Sequence, residues 1–243
     1  MNLNDRTVLI TGSNRGIGRA LVEALLKRGV ARIYASAREM SSLPDFGDAR
    51  VVPLMLDVTD QIQIDHAASQ AGDVDLLINN AGVIAYADAL GGSIEEMRHI
   101  MDVNHWGTLR MMRAFAPILE STGNGAIVNI LSVASLQGVP VHAGYSASKA
   151  AAFSITQSAR IELSRRNVAV HGVFPGPVDT DMAKGLPLDT ADLGATVKEI
   201  LDGLVADVPD IQPDDFSRQI FTMWQQDYRQ IEAVAATMFF GQP

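Results

Sequence analysis

Tyr145 and Lys149 stand four residues apart in the segment Gly144-Tyr145-Ser146-Ala147-Ser148-Lys149. The small residues between and after them suit the start of a helix, and at that spacing two helical side chains share one face. A phenol in water ionises at ~10 and is a poor acid or base at neutral pH. A cation held beside it favours the phenolate and lowers that value. The pair therefore predicts a group that exchanges a proton with a substrate near neutrality. Alone it is weak, because a solvent-facing helix carries the same two residues by chance. The surrounding chain has to decide.

A second motif lies near the N-terminus. The apolar run Arg6-Thr7-Val8-Leu9-Ile10-Thr11 reads as a buried strand, and Gly12-Ser13-Asn14-Arg15-Gly16-Ile17-Gly18 follows at once. A helix from Arg19 to Arg28 comes next, stopped by Gly29. Strand, glycine loop and helix open a dinucleotide site: glycines let the backbone approach a pyrophosphate, and a helix N-terminus offers free N–H groups and a positive dipole end. The spacing is G-x-x-x-G-x-G; a tight turn without a ligand is the plain alternative. In NAD sites an acid near the end of the second strand binds the ribose 2′-hydroxyl. After the run Ala31–Ser36 this chain has Ala37 and Arg38. An arginine attracts a 2′-phosphate with planar donors, and Arg15 is a candidate second arm. NADP(H) is therefore expected over NAD(H). Glu39, one residue further, speaks the other way.

These motifs need a frame. Further strands are read at Arg50–Leu56, Val74–Ile78, Gly125–Leu131, and 167–174. Asp57 and Val58 follow the first of these; Asp57 either accepts from an adenine or caps the helix that begins near Asp60. Asn79-Asn80-Ala81-Gly82 follows the next, where amides fix a neighbouring loop or a cofactor. Ser93 to Glu96 fits a capping box ahead of a long helix reaching about Glu120, with Asn104 inside it. Ser132 ends the fifth run, and Pro175-Gly176 follows the sixth. Strands alternating with helices imply a parallel sheet. The carboxyl ends of parallel strands share one edge, where such sheets bind ligands. Gly12, Asp57, Asn80, Ser132 and Gly176 should therefore gather there.

Composition excludes other classes. The chain has 243 residues, suited to one α/β domain over 1–243, and contains no cysteine, so disulfides and thiolate chemistry are absent. A formal net charge of −9 argues against nucleic-acid binding. No apolar run approaches the ~20 residues of a membrane helix, and no signal peptide is read at the start, so a cytoplasmic location is expected. The five histidines form no zinc motif, so no metal is expected.

With these residues in view, the chain resembles the short-chain dehydrogenase/reductase family of nicotinamide-dependent enzymes over roughly Arg6 to Met182. The marks are Thr11-Gly12-x-x-x-Gly16-x-Gly18, Asn79-Asn80-Ala81-Gly82, Asn104, Ser132, Tyr145-x-x-x-Lys149 and Pro175-Gly176. The resemblance implies a doubly wound Rossmann-type three-layer α/β/α sandwich around a mostly parallel sheet of six or seven strands. It implies Tyr145 as general acid/base, with Lys149 lowering its pKa and holding the nicotinamide ribose. Ser132 would orient the substrate oxygen, and Asn104 would anchor a water chain to Lys149. It further implies adenine contacts from Asp57 and Val58, ribose-side contacts around Asn80, Ala81 and Gly82, and carboxamide contacts from Val178 and Thr180 after Pro175 and Gly176. The implied activity is NADPH-dependent reduction of a carbonyl, or the reverse oxidation of an alcohol, by a homodimer or homotetramer. The rivals are a non-redox epimerase or dehalogenase on this scaffold and an NADP-sensing regulator. Neither an intact glycine loop nor an intact Ser132, Tyr145 and Lys149 set favours them.

Beyond Met182 the pattern is lost. Residues 183–215 read as a substrate lid followed by a helix from about Thr196 and an edge strand near Asp210. Asp214 or Asp215 should cap a last helix from Phe216 to about Ala236. Met223, Trp224, Tyr228, Met238, Phe239 and Phe240 are expected as core or subunit contacts. His142 is either a pocket residue or a structural histidine.

Overall fold

Each apolar run becomes a strand because both of its faces find cover. The computed structural model describes residues 1–185 and 188–241. Pro187, a turn residue of the expected lid, lies outside the described residues. Among them, seven strands form one parallel sheet: β1 (Thr7–Ile10), β2 (Arg32–Ala37), β3 (Val51–Met55), β4 (Leu76–Asn79), β5 (Ala126–Ile130), β6 (Ala169–Val173) and β7 (Asp210–Ile211). Their order is β3-β2-β1-β4-β5-β6-β7. The winding reverses between β1 and β4, which puts the ligand crevice at that junction. β3 and β7 are the edges, and this is why β3 tolerates Pro53, which has no N–H to give a further strand.

Side chains alternate across the sheet with the period of two. Val8, Ile10, Ile78 and Val128 meet Leu21 and Leu25 of α1 (Gly16–Lys27) and Ile200 of α6 (Leu193–Val205). Leu9, Leu77 and Ile127 face the other way. They meet Ile64 of α2 (Gln61–Gln70) and Phe115 of α4 (Thr108–Ser121). With α5 (Ala143–Leu163) also on this second side, the layers are helix, sheet, helix. No helix among the described residues is long and apolar enough to cross a membrane.

Two helices differ from expectation. The long helix predicted over 94–120 is α3 (Ile94–Met101) and α4 joined by one wider, π-type turn, Asp102–Gly107. That turn carries Asn104. Such a turn inserts an extra residue and redirects the side chains around it. It also brings Gly107 against Val58, where an added Cβ would lie 2.6 Å from a Val58 methyl. The last helix, α7 (Asp215–Phe240), runs beyond Ala236 and is broken at Asp227, whose φ of −159° and ψ of 103° are extended. The Asp227 carboxylate accepts from the Arg229 N–H at 3.1 Å and restarts the helix.

Asp214, not Asp215, is the cap of α7. One of its oxygens accepts from the Ser217 N–H at 2.7 Å; the other accepts from the Gly176 N–H at 2.9 Å. The residue is buried. One carboxylate thus starts the last helix and pins the Pro175-Gly176 turn at the end of β6. Asp214→Ala is expected to cost about 2–4 kcal/mol, the loss of a cap together with a buried N–H left unpaired. Asp214→Asn, with one acceptor oxygen in place of two, should keep the cap or the turn but not both, and should fall between Asp214→Ala and the parent in urea unfolding. Equal stability of Asp214→Ala and the parent would show that the clamp contributes nothing.

Candidate active site

The strand ends place the functional side chains. β5 stops at Ile130, and Ser132 follows two residues on, its hydroxyl accepting from the Ala134 N–H at 3.1 Å. α5 enters beside it with Tyr145 and Lys149 on its first two turns. The Lys149 ammonium is buried, donates to the Ile130 carbonyl at 2.8 Å, and lies 5.7 Å from the centre of the Tyr145 ring. Tyr145 is mostly buried at the cavity wall. Burial pushes its phenol up to about 12, and the neighbouring Ser132 hydroxyl only partly opposes that. Burial likewise pushes Lys149 down to about 8. The expected lowering of the phenol by the lysine is therefore not what the protein alone produces. Removal from water drives each group toward its neutral form.

Asn104 is buried rather than solvent-facing. Its carbonyl oxygen accepts from the Val83 N–H, and its amide donates to the Val83 carbonyl and to the Ser148 hydroxyl, each at 2.9 Å. It stitches the segment after β4 to α5, one residue from Lys149, without reaching the cavity wall itself. Gly82 lies between them: a Cβ there would be 3.4 Å from the Asn104 oxygen and 3.6 Å from the Lys149 nitrogen.

The glycine loop is held from β4. Thr11 accepts on its hydroxyl from the N–H groups of Asn80 and Ala81, and the Asn80 amide donates to the carbonyls of Thr11 and Gly12, all at 2.9 Å. Gly12 adopts φ 67°, and a Cβ at Gly18 would sit 2.2 Å from the Gly12 carbonyl oxygen, so α1 can pack beneath the loop only without one. Ser13 is fully buried, with its hydroxyl on the Ile10 carbonyl and its N–H on that of Ser36. Ser13 and Gly18 thus support the loop from behind. Gly12, Asn14, Arg15, Gly16 and Ile17 line the cavity in front.

The cavity, about 460 Å³, runs along the carboxyl edge of the sheet and is bordered by Gly12, Asp57, Asn80, Ser132 and Gly176, the five residues predicted to converge. Ala37, Arg38 and Glu39 all stand on its wall, as do Val58, Ala81 and Gly82 near β4. Pro175, Val178 and Thr180 complete that side. Asp60 caps α2, while Asp57 accepts from Thr59. Arg15 is exposed and 4.0 Å from Asp181. α1, α4 and α5 begin with no side-chain cap, whereas α2, α3, α6 and α7 are capped by Asp60, Ser93, Asp192 and Asp214. An uncapped helix N-terminus beside a glycine cradle suits an anionic group. The residues present therefore fit a dinucleotide.

Other lining residues were not anticipated. Gln137 and Val139 come from the loop before α5, and Phe216, Ile220, Val234 and Ala235 come from α7. Met238 and Phe239, expected as core or subunit contacts, line the cavity; Met223 and Trp224 do pack against the core. The repeat of apolar residues at three and four positions from Ile231 to Met238 was the available signal, but it does not say what the stripe faces. His142 lines the cavity and also serves the fold, its Nδ1 3.0 Å from the Ala85 carbonyl.

A family model described as short chain dehydrogenase matches residues 6–191. The chain belongs to the short-chain dehydrogenase/reductase family. A solved short-chain dehydrogenase from Burkholderia cenocepacia, in complex with NADP, is 38% identical, covers 97% of this chain and 99% of its own, and superposes with a TM-score of 0.92. A sorbitol dehydrogenase from Cereibacter sphaeroides is 36% identical over 201 residues, 79% of this chain and 78% of its own. A family structure from Burkholderia phymatum in complex with NAD has a TM-score of 0.83, covers 96% of each chain and is 23% identical, a likeness of fold alone. The family is one of nicotinamide-dependent oxidoreductases, and the cradle fits such a dinucleotide.

Difference spectra of the free protein against Tyr145→Phe should place this phenol's ionisation toward about 12. Ionisation at or below the ordinary value of 10 would mean that the lysine governs and burial does not.

Proposed function

We propose that the chain is an NADPH-dependent reductase of ketones or aldehydes, and the corresponding alcohol dehydrogenase in reverse. The observation that carries this reading is one wall: the Ser132 and Tyr145 hydroxyls, with Lys149 behind them, border the same cavity as the glycine cradle and the uncapped start of α1. A bound nicotinamide dinucleotide supplies the hydride. Ser132 and Tyr145 donate hydrogen bonds to the substrate oxygen as negative charge grows on it. Tyr145 gives up its proton to that oxygen and becomes the phenolate, which the Lys149 cation stabilises until solvent returns a proton. A phenol raised by burial is fully protonated at neutral pH, which suits reduction. Alcohol oxidation needs the phenolate and should therefore gain rate as pH rises.

Preference for the phosphorylated cofactor rests on Ala37 and Arg38 at the end of β2 with Arg15 across the cavity, and on the NADP held by the Burkholderia cenocepacia relative. Glu39 shares that wall and leaves NADH some access.

Tyr145→Phe is expected to lower kcat roughly 10³-fold while the Kd for NADPH stays close to that of the parent. Normal turnover by this variant defeats the proposed acid. Arg38→Ala should weaken NADPH binding roughly 10- to 100-fold, the worth of a charge-assisted bond, with little change for NADH. An unaltered ratio between the two cofactors rejects the clamp.

A further inference from the structure

Hydride transfer uses the cradle, Ser132, Tyr145 and Lys149. It makes no use of the rest of the cavity wall. Beyond the two hydroxyls that wall is apolar: Val133 and Val139 from the loop before α5, Leu188, and Val234, Met238 and Phe239 from α7. The α7 residues lie after the break at Asp227, so they belong to a short helix with its own start. Within it Ile231, Ala235 and Met238 recur at spacings of four and three, and Val234 sits beside them on the same face.

That face is wider than the core it covers. Ile231 is fully buried and Ala235 nearly so. Val234, Met238 and Phe239 front the cavity, and Met238 stays 39% exposed. Apolar side chains facing a void forgo contacts that a packed neighbour would supply. A bound molecule with an apolar body restores them. The wall also offers little to a hydroxyl-rich molecule. Gln137 and His142 are its polar members. The Gln137 side-chain oxygen and the His142 Nε2 are buried without a partner among the described residues. A sugar would bring several hydroxyls, and each one stripped of water without a partner weakens binding roughly 10-fold or more.

We infer that the second half of α7 is the selectivity wall of this site, and that it admits a ketone or aldehyde with an extended apolar body rather than a polyhydroxylated sugar. This rests on the carbonyl-reductase reading above. The Gln137 oxygen and the His142 Nε2 leave room for one or two further polar groups on the substrate. The C-terminal helix, which carries none of the family's motif residues, thereby sets what the conserved chemistry acts on.

The test compares 2-octanone, 2-butanone and D-fructose with NADPH. Successive methylenes should raise kcat/KM by roughly three- to fourfold each while room lasts, and fructose should fall at least about 100-fold below 2-octanone. Val234→Phe should raise the KM for 2-octanone about tenfold and lower the octanone-to-butanone ratio, with NADPH affinity held. Met238→Ala should flatten the preference for the longer ketone and serves if the larger side chain prevents folding. Fructose turned over as well as 2-octanone, or an octanone-to-butanone ratio untouched by both variants, overturns the inference and leaves the reductase reading intact. Calorimetry of 2-octanone on the NADPH complex separates the two failures. Binding with a negative heat-capacity change but no turnover sinks the reductase reading and keeps the apolar wall; absence of binding sinks the wall.

Discussion

A strand that stops leaves backbone groups without a ladder partner, and this site is built from the side chains that take them. Lys149 donates to the last carbonyl of β5, and Asn80 donates to the two carbonyls that follow β1. Ser13 and Ser36 both donate to the Ile10 carbonyl, and Asp214 accepts from Gly176 beyond β6. A buried backbone group left unpaired costs about 1–3 kcal/mol. The groups that border the cavity or brace its loops are therefore also the groups that let the sheet end. A site made this way is held in register with the fold, because moving one of its side chains strands a carbonyl.

The same arrangement sets the electrostatics. Lys149 has one carbonyl as its partner, and Tyr145 sits beside it mostly buried. Burial penalises each charge, which raises the phenol and weakens the ammonium. The π-type turn serves the same corner. By holding Asn104 against Val83 and Ser148, it fixes the backbone around Gly82, which lies in van der Waals reach of both Asn104 and the lysine. The cluster stores its acid in the protonated form that a reduction consumes.

Local pattern was enough for some parts of the chain and not for others. β1, the loop Gly12–Gly18 and α1 follow from an apolar run, glycines and a helical stripe within one short stretch. β3 was legible despite Pro53, and the cap of α7 was narrowed to two neighbouring aspartates. The break at Asp227 and the wide turn at Asn104 were not legible. Both arise where a side chain bonds backbone that the pattern of apolar residues does not report: Asp227 to Arg229, and Asn104 to a segment twenty-one positions away. Ser13 and Gly18 belong to the loop read as opening a dinucleotide site, and the loop's pattern does not say which way each one faces. Their neighbours in space, Ile10, Ser36 and the Gly12 carbonyl, show that they hold it up.

By itself the sequence determined the parallel sheet, the crevice at its carboxyl edge and the hydroxyl and ammonium that border it. Those follow from alternation, from short motifs and from the rule that parallel strands share an edge. Tertiary structure alone decided the protonation preference of Tyr145 and Lys149, because desolvation depends on everything packed around a group rather than on its neighbours in the chain. It alone decided, too, that the apolar stripe of the last helix faces a cavity as well as the core. A helical repeat specifies a face; what that face meets is set by the three-dimensional course of the whole chain.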